Sequence, residues 1–277
     1  MGLLRAAVLG SPVAHSLSPV LHRAGHRACG LDGWEYGRHE VDAAGLPAFV
    51  AGLDEEWRGL SLTMPLKEAA LEVATEVSDL ARRAGGANTL VRRADGGWDA
   101  TNTDVAGVTE ALRPHLPGTP TRALVLGAGA TARSAVLGLA ALGVTTLTVR
   151  ARDTARAADL LAWALDTGAG IRNGSVAAIG PWVTTRDDVV VSTVPPDAGE
   201  AVAATVPAQH SGVLFDVVYA GWPTPPATAA AAAGMTVVGG LEMLVRQAAE
   251  QFRLFTGAEA PVDAMREAGL RALAARA

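Results

Sequence analysis

Compact apolar segments alternate with helical segments along the second half of the chain. A Gly-rich turn, GAGATAR at 127–133, opens one helical stretch, and a second helical stretch, DTARAADLLAWAL, covers 153–165. Five short apolar segments typical of buried strands are interspersed with these helices, at 122–127, 144–150, 188–195, 212–219 and 235–240. Strands and helices in this alternation predict an α/β fold with a doubly wound, parallel sheet.

The first 104 residues also mix strands and helices, with more turns. Strands are predicted at 5–10, 33–41, 59–63, 85–93 and 97–104, the last two joined by the turn ADGG. Helices are predicted at 19–29, at 46–53 and from about Lys67. Ser18 is expected to cap the first of them, with Pro19 in its first turn. Two amphipathic helices, at 241–255 and 261–275, end the sequence.

The composition excludes several classes of protein. The net charge of −5 and the scattered arginines argue against a nucleic-acid partner. No apolar stretch reaches the ~18 residues that span a bilayer, so we predict a cytoplasmic protein without a membrane partner. A single cysteine, Cys29, excludes a disulfide framework and a cysteine-rich metal site.

The histidines do not suggest a metal centre either. His15, His22, His26 and His39 show no helix-borne ligand pattern with carboxylates. His22 and His26 are expected on an exposed face of the first helix. The sequence therefore predicts no metal.

Lys67 is the only lysine among 23 basic residues. An arginine is a permanently charged planar fork, whereas a lysine is a compact ammonium that can give up its proton. Lys67 is therefore a candidate acid/base or close-range hydrogen-bond donor. The alternative is an ordinary exposed lysine at a helix start.

The Gly-rich turn follows a strand and opens a helix, which is the context of a dinucleotide-binding site. Gly127 permits the tight turn, and Gly129 lets the backbone approach a pyrophosphate at the helix N-terminus. Ala132 replaces the third glycine of the pattern. A strand–helix turn without a ligand is the alternative.

The residues after the next strand favour NADP over NAD. Roughly 20 residues beyond the turn, an NAD enzyme carries a carboxylate for the ribose hydroxyls. Here Arg150, Arg152 and Arg156 occupy that region, and guanidinium groups suit a 2′-phosphate. Asp153 argues against this preference, unless it caps the helix that starts near Thr154.

Three polar patches lie in the first hundred residues, SLSP (16–19), ANTL (87–90) and TNTD (101–104). Each is explained equally well by turn or cap residues. Together with Lys67 and a nucleotide fold they suggest a pocket for a polyol, because hydroxyls and amides supply mixed donors and acceptors.

From end to end the chain resembles the shikimate dehydrogenase family. The resemblance is carried by eight segments in this order: VLGSPVAHSLSPVLH, LSLTMPLK, GGANTL, NTDVAG, GAGATAR, VVSTVP, DVVYAGWPTP and MLVRQAAEQFRLFTG. It implies a substrate-binding domain at 1–104, completed by the helices at 241–277, and an NADP-binding domain at 105–240. It also implies reversible reduction of 3-dehydroshikimate to shikimate, a step in aromatic amino-acid biosynthesis, and allows a homodimer.

The resemblance assigns roles to individual residues. Lys67 and Asp104 become the catalytic pair. Ser16 and Ser18 are expected to contact the substrate carboxylate. The ring hydroxyls are expected to be held by Thr63, Asn88, Asp104 and Gln247. Tyr219 is also expected to face the substrate. The expected cofactor contacts are Gly127, Ala128, Gly129, Ala130 and Thr131 at the pyrophosphate, Arg152 and Arg156 at the adenosine phosphate, and Thr193, Val217, Gly240 and Met243 near the nicotinamide.

Four positions depart from the family pattern. Ser61 stands where asparagine is frequent, so one substrate contact is expected to be shorter or lost. Ala130 replaces a glycine, Gly221 replaces a frequent proline, and Asp153 lies beside the expected phosphate. None of these departures removes the catalytic pair.

Two questions stay open at this level. Lys67 either exchanges the proton itself with Asp104, or stays charged and stabilises an alkoxide while water or Asp104 carries the proton. The alternatives to a shikimate substrate are quinate or an amino analogue of shikimate on the same scaffold. A non-catalytic NADP-sensing module is the alternative to an enzyme.

Overall fold

The computed structural model describes residues 2–180 and 188–276. The chain divides into two compact units. The first contains 1–106 and 244–277, and the second contains 107–243.

The first unit is built on a mixed six-stranded sheet. Its strands are β1 (Leu4–Gly10), β2 (Trp34–Glu40), β3 (Trp57–Leu62), β4 (Glu76–Val77), β5 (Thr89–Arg92) and β6 (Trp98–Thr101), in the order β2-β1-β3-β5-β6-β4. β1 runs parallel to both of its neighbours, whereas β5 is antiparallel to β3 and β6. The predicted pair of strands around ADGG is therefore confirmed as β5 and β6.

Helices cover this sheet and bury its apolar side chains. They are α1 (Ser18–Ala28), α2 (Leu46–Ala51), α3 (Leu66–Val73) and α4 (Asp79–Ala84), followed by α5 (Asp104–Leu112) at the boundary of the two units. α3 starts four residues after β3 ends, so the turn between them fixes where Lys67 stands. Leu60, Leu66 and Leu90 are fully buried beneath this region.

The second unit has the predicted parallel sheet. Its strands are β7 (Arg122–Leu126), β8 (Thr146–Ala151), β9 (Asn173–Ala178), β10 (Val189–Ser192), β11 (Val213–Asp216) and β12 (Thr236–Gly239), in the order β12-β11-β10-β7-β8-β9. All neighbouring pairs are parallel. The connecting helices are α6 (Ala130–Ala141), α7 (Thr154–Asp166), α8 (Gly199–Ala203) and α9 (Pro225–Ala232). The doubly wound α/β prediction is confirmed.

Two long helices end the chain, α10 (Gly240–Thr256) and α11 (Val262–Ala274). Both match the amphipathic helices predicted there. α11 packs against α1. Within the described residues, no helix is both long enough and apolar enough to pass through a lipid bilayer.

Two local predictions in α1 are wrong. Ser18 is the first residue inside the helix, and no side chain caps the helix at Leu17. His22 and His26 are buried, with exposed fractions of 0% and 5%. The His22 ring stacks on Tyr36, with ring centroids 4.0 Å apart and planes inclined by 9°.

Candidate functional site

An ion pair between Lys67 and Asp104 lies at the centre of the first unit's polar residues. Lys67 is the second residue of α3, and Asp104 is the first residue of α5. The Lys67 Nζ donates to Asp104 Oδ2 at 2.7 Å. The two side chains are 23% and 9% exposed, so the pair is partly screened from water while the ammonium still reaches the surface.

The loop GGAN (85–88) holds this pair in place through the backbone. The amide of Ala87 donates to the carbonyl of Lys67 at 2.7 Å. A Cβ at Gly86 would lie 3.1 Å from that carbonyl oxygen, a tighter contact than side chains normally make. Asn102 Nδ2 donates to the carbonyl of Gly86 at 2.8 Å, and the amide of Asp104 donates to Asn102 Oδ1 at 3.0 Å. The polar patches ANTL (87–90) and TNTD (101–104) therefore hold Lys67 and Asp104 in position.

Asn88 is the hub of a buried hydrogen-bond network. Its Nδ2 donates to Asp104 Oδ1 at 2.8 Å, with Thr103 Oγ1 at 3.0 Å and Gln247 Oε1 at 3.3 Å. Its Oδ1 accepts from the Thr103 amide and from the Thr89 hydroxyl, both at 2.8 Å. Both oxygens of Asp104 are thus occupied, one by Lys67 and the other by Asn88.

A second glutamine of α10 extends the network. Gln251 lies one turn beyond Gln247, and its Nε2 donates to the Asn88 carbonyl at 3.1 Å and to Thr89 Oγ1 at 2.9 Å. Its Oε1 accepts from Ser61 Oγ at 2.7 Å. Sequence reasoning missed Gln251, although its spacing of four from Gln247 places both on one face of a helix.

Ser61 is engaged inside the protein. Its hydroxyl accepts from the Tyr36 phenol at 2.6 Å and donates to Gln251. Burial raises the pKa of Tyr36 above its ordinary range, while the hydroxyls of Ser61 and Ser18 act in the opposite direction. Sequence reasoning assigned no role to Tyr36, whose side chain is fully buried.

The two histidines of α1 are neutral in this environment. Burial lowers the pKa of His22 to about 3, with the neighbouring His26 acting in the same direction and the side chain of Gln251 in the opposite one. Burial also lowers the pKa of His26 to about 4. Neither ring nitrogen of His22 has a hydrogen-bond partner in the described part of the chain. The His22 ring packs against Tyr36, and the His26 ring packs against Trp34 and Phe252.

The other predicted substrate residues do not belong to the hydrogen-bond network around Asn88. The Ser16 hydroxyl accepts from the Ser18 amide at 3.3 Å and lies at the same distance from the Ser18 hydroxyl. Thr63 follows the end of β3 and is half-buried. Tyr219 is half-buried in the second unit. The structure thus joins Lys67 and three further predicted residues, Asn88, Asp104 and Gln247, into one network.

The predicted cofactor residues of the second unit share one edge of its sheet. Gly127, Arg152, Thr193, Val217 and Gly240 each directly follow a strand, namely β7, β8, β10, β11 and β12. These strands are adjacent and parallel. In an open α/β sheet, ligands bind outside the carboxyl ends of the strands, where the strand order reverses. β7 and β10 are the two strands at that reversal.

The turn between β7 and α6 fits a dinucleotide pyrophosphate. Gly127 has a φ of 104°, and a Cβ there would lie 2.5 Å from Thr193 Oγ1. Only glycine is therefore unstrained at this position. Gly129 precedes α6, and no heavy atom lies within 4 Å of the Cβ position it lacks. Phosphate oxygens can then approach the backbone at the start of the helix.

Other predicted cofactor positions differ in character. Ala128 and Val217 pack against the core of the unit, and Met243 is only 8% exposed. Thr131 is half-buried, and Ala130 is exposed at the first position of α6. Backbone and small side chains therefore form most of this edge.

The three arginines near α7 have different surroundings. Arg150 is buried, and its Nη1 donates to the Gly180 carbonyl at 2.7 Å, so part of its guanidinium is engaged inside the second unit. Arg152 is exposed. The exposed Arg156 lies 3.6 Å from Asp153. Asp153 accepts from the amides of residues 155 and 156, at 3.0 and 3.2 Å, so its predicted capping role is confirmed.

Across residues 2–180 and 188–276, no three His, Cys, Asp or Glu side chains cluster in a way that could hold a metal ion. The polar network of the first unit consists of a lysine–carboxylate pair within hydroxyls and amides.

Comparison with known proteins gives consistent matches. The model of the shikimate dehydrogenase substrate binding domain matches residues 8–90, and that of the shikimate 5'-dehydrogenase C-terminal domain matches residues 240–268. The chain is 37% identical over 271 residues to the shikimate dehydrogenase (NADP(+)) of Methanocella arvoryzae, covering 96% of this chain and 98% of that protein.

Two solved structures are also similar. A shikimate 5-dehydrogenase from Mycobacterium fortuitum has 46% sequence identity and a TM-score of 0.86, with 96% of this chain and 97% of that one covered. A shikimate 5-dehydrogenase from Thermus thermophilus in complex with NADP(H) and shikimate has 34% identity and a TM-score of 0.82, with 98% of this chain and 100% of that one covered.

Proposed function

The chain belongs to the shikimate dehydrogenase family, and on that premise we propose that it catalyses the reversible, NADPH-dependent reduction of 3-dehydroshikimate to shikimate. The observation that carries this proposal is the partly buried ion pair of Lys67 and Asp104, held at 2.7 Å within a network of amides and hydroxyls. Such a network offers the mixed donors and acceptors that a polyhydroxylated ring requires.

The proton chemistry is assigned to Lys67. Asp104 accepts hydrogen bonds on both oxygens, from Lys67 and from Asn88, so it is held as an acceptor. The Lys67 ammonium has three donors, of which one points to Asp104. In the reduction, another N–H faces the substrate oxygen, stabilises the developing alkoxide and delivers the proton. In the oxidation, Lys67 takes the hydroxyl proton back.

The remaining predicted residues bind and orient the substrate. Ser16 and Ser18 are assigned to the carboxylate, and Thr63, Asn88, Asp104 and Gln247 to the ring hydroxyls. Tyr219 is also assigned to the substrate. Amides held by buried partners, as Asn88 is, present their donors without reorganisation.

NADPH supplies the hydride when it is bound. The turn 127–131 is assigned to its pyrophosphate, since the φ of Gly127 and the open space at Gly129 fit that group. Arg152 and Arg156 are assigned to the adenosine phosphate, and Thr193, Val217, Gly240 and Met243 to the surroundings of the nicotinamide. The exposed arginines are suited to a phosphate because they offer forked donors.

The test is an absorbance assay at the nicotinamide band with shikimate, quinate or the amino analogue of shikimate as the alcohol and NADP or NAD as the acceptor. We expect the highest kcat/KM with shikimate and NADP. A higher value with quinate would overturn the substrate assignment. Binding of NADP with no NADPH formed from shikimate, quinate or the amino analogue would indicate the non-catalytic module instead.

A cytoplasmic location and a homodimer stay predictions of this proposal. Sedimentation of the purified chain, with and without NADP, decides the oligomeric state.

A further inference from the structure

Gln251 connects the last part of the chain to the catalytic pair without touching either member of it. Its side chain is 1% exposed and makes three hydrogen bonds. Two of them go to the Asn88 carbonyl and the Thr89 hydroxyl. Asn88 in turn donates to Asp104. Gln251 is thus one residue away from the carboxylate that holds Lys67.

The donors along this chain of contacts run in one direction. Tyr36 donates to Ser61, and Ser61 donates to Gln251 Oε1. The oxygen of the Gln251 amide is thereby fixed on the Ser61 side, so its NH₂ group must face Thr89. Because Thr89 Oγ1 accepts from that group, its own proton is directed to Asn88 Oδ1 at 2.8 Å.

The orientation of the Asn88 amide follows from these contacts. With Oδ1 held by the Thr89 hydroxyl and the Thr103 amide, Nδ2 points to Asp104. A reversed amide would put its carbonyl oxygen against the Asp104 carboxylate and leave buried donors and acceptors mismatched.

We propose that Gln251 is a positioning residue for the reaction, with Tyr36 and Ser61 fixing its amide so that Asn88 presents its donor to Asp104. The proposal rests on the proposed function, because the reaction is what Asp104 and Lys67 serve. It also gives Ser61 a role. In this chain its hydroxyl is used to orient Gln251.

The packing around the start of this chain of contacts supports a fixed geometry. Tyr36 is stacked on His22 at 4.0 Å, and the two phenylalanines of α10 lie beside that histidine, Phe252 at 6.3 Å and Phe255 at 5.9 Å between ring centroids. Tyr36 therefore has little freedom to turn its hydroxyl away from Ser61.

The decisive experiment compares Gln251→Leu in two backgrounds, the natural chain and Asp104→Asn. In the natural chain we expect kcat with shikimate and NADP to fall about tenfold, since two hydrogen bonds that fix Asn88 are lost. In the Asp104→Asn background the same change should alter kcat by no more than about twofold, because Gln251 acts through Asp104. A tenfold loss in both backgrounds, or no loss in either, would overturn the proposal.

Matched variants separate positioning from general destabilisation. Leu46→Ala removes a fully buried side chain of the same unit outside the network, so it should lower Tm while the folded protein keeps its kcat. Thr89→Val removes the hydroxyl at similar shape and should lower kcat, whereas Thr89→Ser should recover most of that rate. Equal kcat values for the Val and Ser variants would contradict the proposal.

A spectroscopic readout keeps the two proposals distinguishable. The side-chain amide signals of Asn88 in a ¹⁵N spectrum should shift in Gln251→Leu and stay in place in Leu46→Ala. Unmoved signals in Gln251→Leu would refute the positioning role even for an active enzyme. An inactive natural chain in which those signals move would refute the proposed function alone.

Discussion

The two candidate sites of this chain differ in which parts of the polypeptide form them. In the first unit, side chains hold one another, as Asn88 does with Asp104, Thr103 and Gln247. In the second unit, the edge of the sheet is formed by backbone turns, of which Gly127 is the clearest, and by exposed arginines. Removing one side chain should therefore damage the first site widely and the second site only locally.

This difference follows from what each site is proposed to bind. A ring with several hydroxyls is oriented by donors and acceptors on many sides, which side-chain networks supply. A pyrophosphate is satisfied by backbone N–H groups at a helix start. The specificity of the first site thus depends on side-chain identity, and that of the second on backbone conformation.

The largest effect is expected from Asn88→Ala. This change leaves Asp104 Oδ1 and the Thr103 amide without their partner inside the protein. We expect kcat/KM for shikimate to fall about 10²- to 10³-fold, since the lost hydrogen bond to the Asp104 carboxylate is worth about 1.5–3 kcal/mol and the proposed one to a ring hydroxyl about 0.5–1.5 kcal/mol. NADP titration of the same variant should give an unchanged Kd. A comparable loss of NADP affinity would contradict the claim that the side-chain network around Asn88 serves only the first site.

The next effect concerns the acid stability of the first unit. Above pH 6.5, His22 is neutral in both the folded and the unfolded chain. Below that value only the unfolded chain takes up the proton, because burial lowers the pKa of His22 in the folded chain to about 3. The free energy of unfolding should therefore decrease when the pH is lowered. The loss from His22 alone should be about 3 kcal/mol between pH 7 and pH 4.

Denaturant unfolding at pH 7 and pH 4 measures this loss. His22→Phe keeps an aromatic ring against Tyr36 and removes the titrating group, so its free energy of unfolding should depend less on pH. The same dependence on pH in both proteins would show that His22 does not contribute.

A pair of glycine variants tests the backbone character of the second site. Gly127→Ala should lower the stability of the free protein by about 1–3 kcal/mol, because φ is 104° and Cβ would meet Thr193. Gly129→Ala should leave that stability nearly unchanged, because φ is −90° and the Cβ position is open. Both changes should weaken NADP binding, the second because the methyl group stands where the pyrophosphate approaches.

Thermal unfolding without ligand and NADP titration separate these outcomes. If Gly129→Ala bound NADP as tightly as the natural chain, the pyrophosphate would not lie on this turn.

The smallest effect is expected from Arg156→Gln. Loss of one exposed guanidinium should raise KM for NADP about tenfold and leave KM for NAD unchanged, because only NADP carries the 2′-phosphate. Arg172→Gln is the matched control. Arg172 is exposed just before β9, at the amino ends of the parallel strands, whereas the predicted cofactor residues follow the carboxyl ends. Equal effects of the two changes on NADP would contradict a phosphate site at Arg156.

Much of the second unit could be predicted from the sequence because its signals are local. An apolar strand, a glycine turn and a helix follow one another directly, and parallel strands buried on both faces are continuously apolar. β9 could not be predicted because it lacks such a local signal. Its sequence, NGSVAA, is mostly exposed and lies at the edge of the sheet, so it has no apolar pattern to detect.

The first unit was harder because its important contacts join distant segments. Lys67 stands out as the only lysine of the sequence, and the patches that contain Asn88 and Asp104 are polar. The positions of His22 and His26 were predicted wrongly, since a polar residue on a helix normally faces water. Their burial depends on Tyr36 and Phe252 from other elements. Gln251 was missed because its partners, Ser61 and Asn88, lie more than 150 residues away.

The central claim is that Lys67, beside Asp104, exchanges the proton with the substrate oxygen in both directions of the reaction. Its most direct test is the kcat of Lys67→Arg at saturating shikimate and NADP, with NADP affinity and circular dichroism measured on the same sample. The claim predicts a loss of kcat of at least ~10²-fold, with NADP affinity and fold unchanged, because a guanidinium keeps the charge but cannot exchange the proton. Turnover close to that of the natural chain would contradict it.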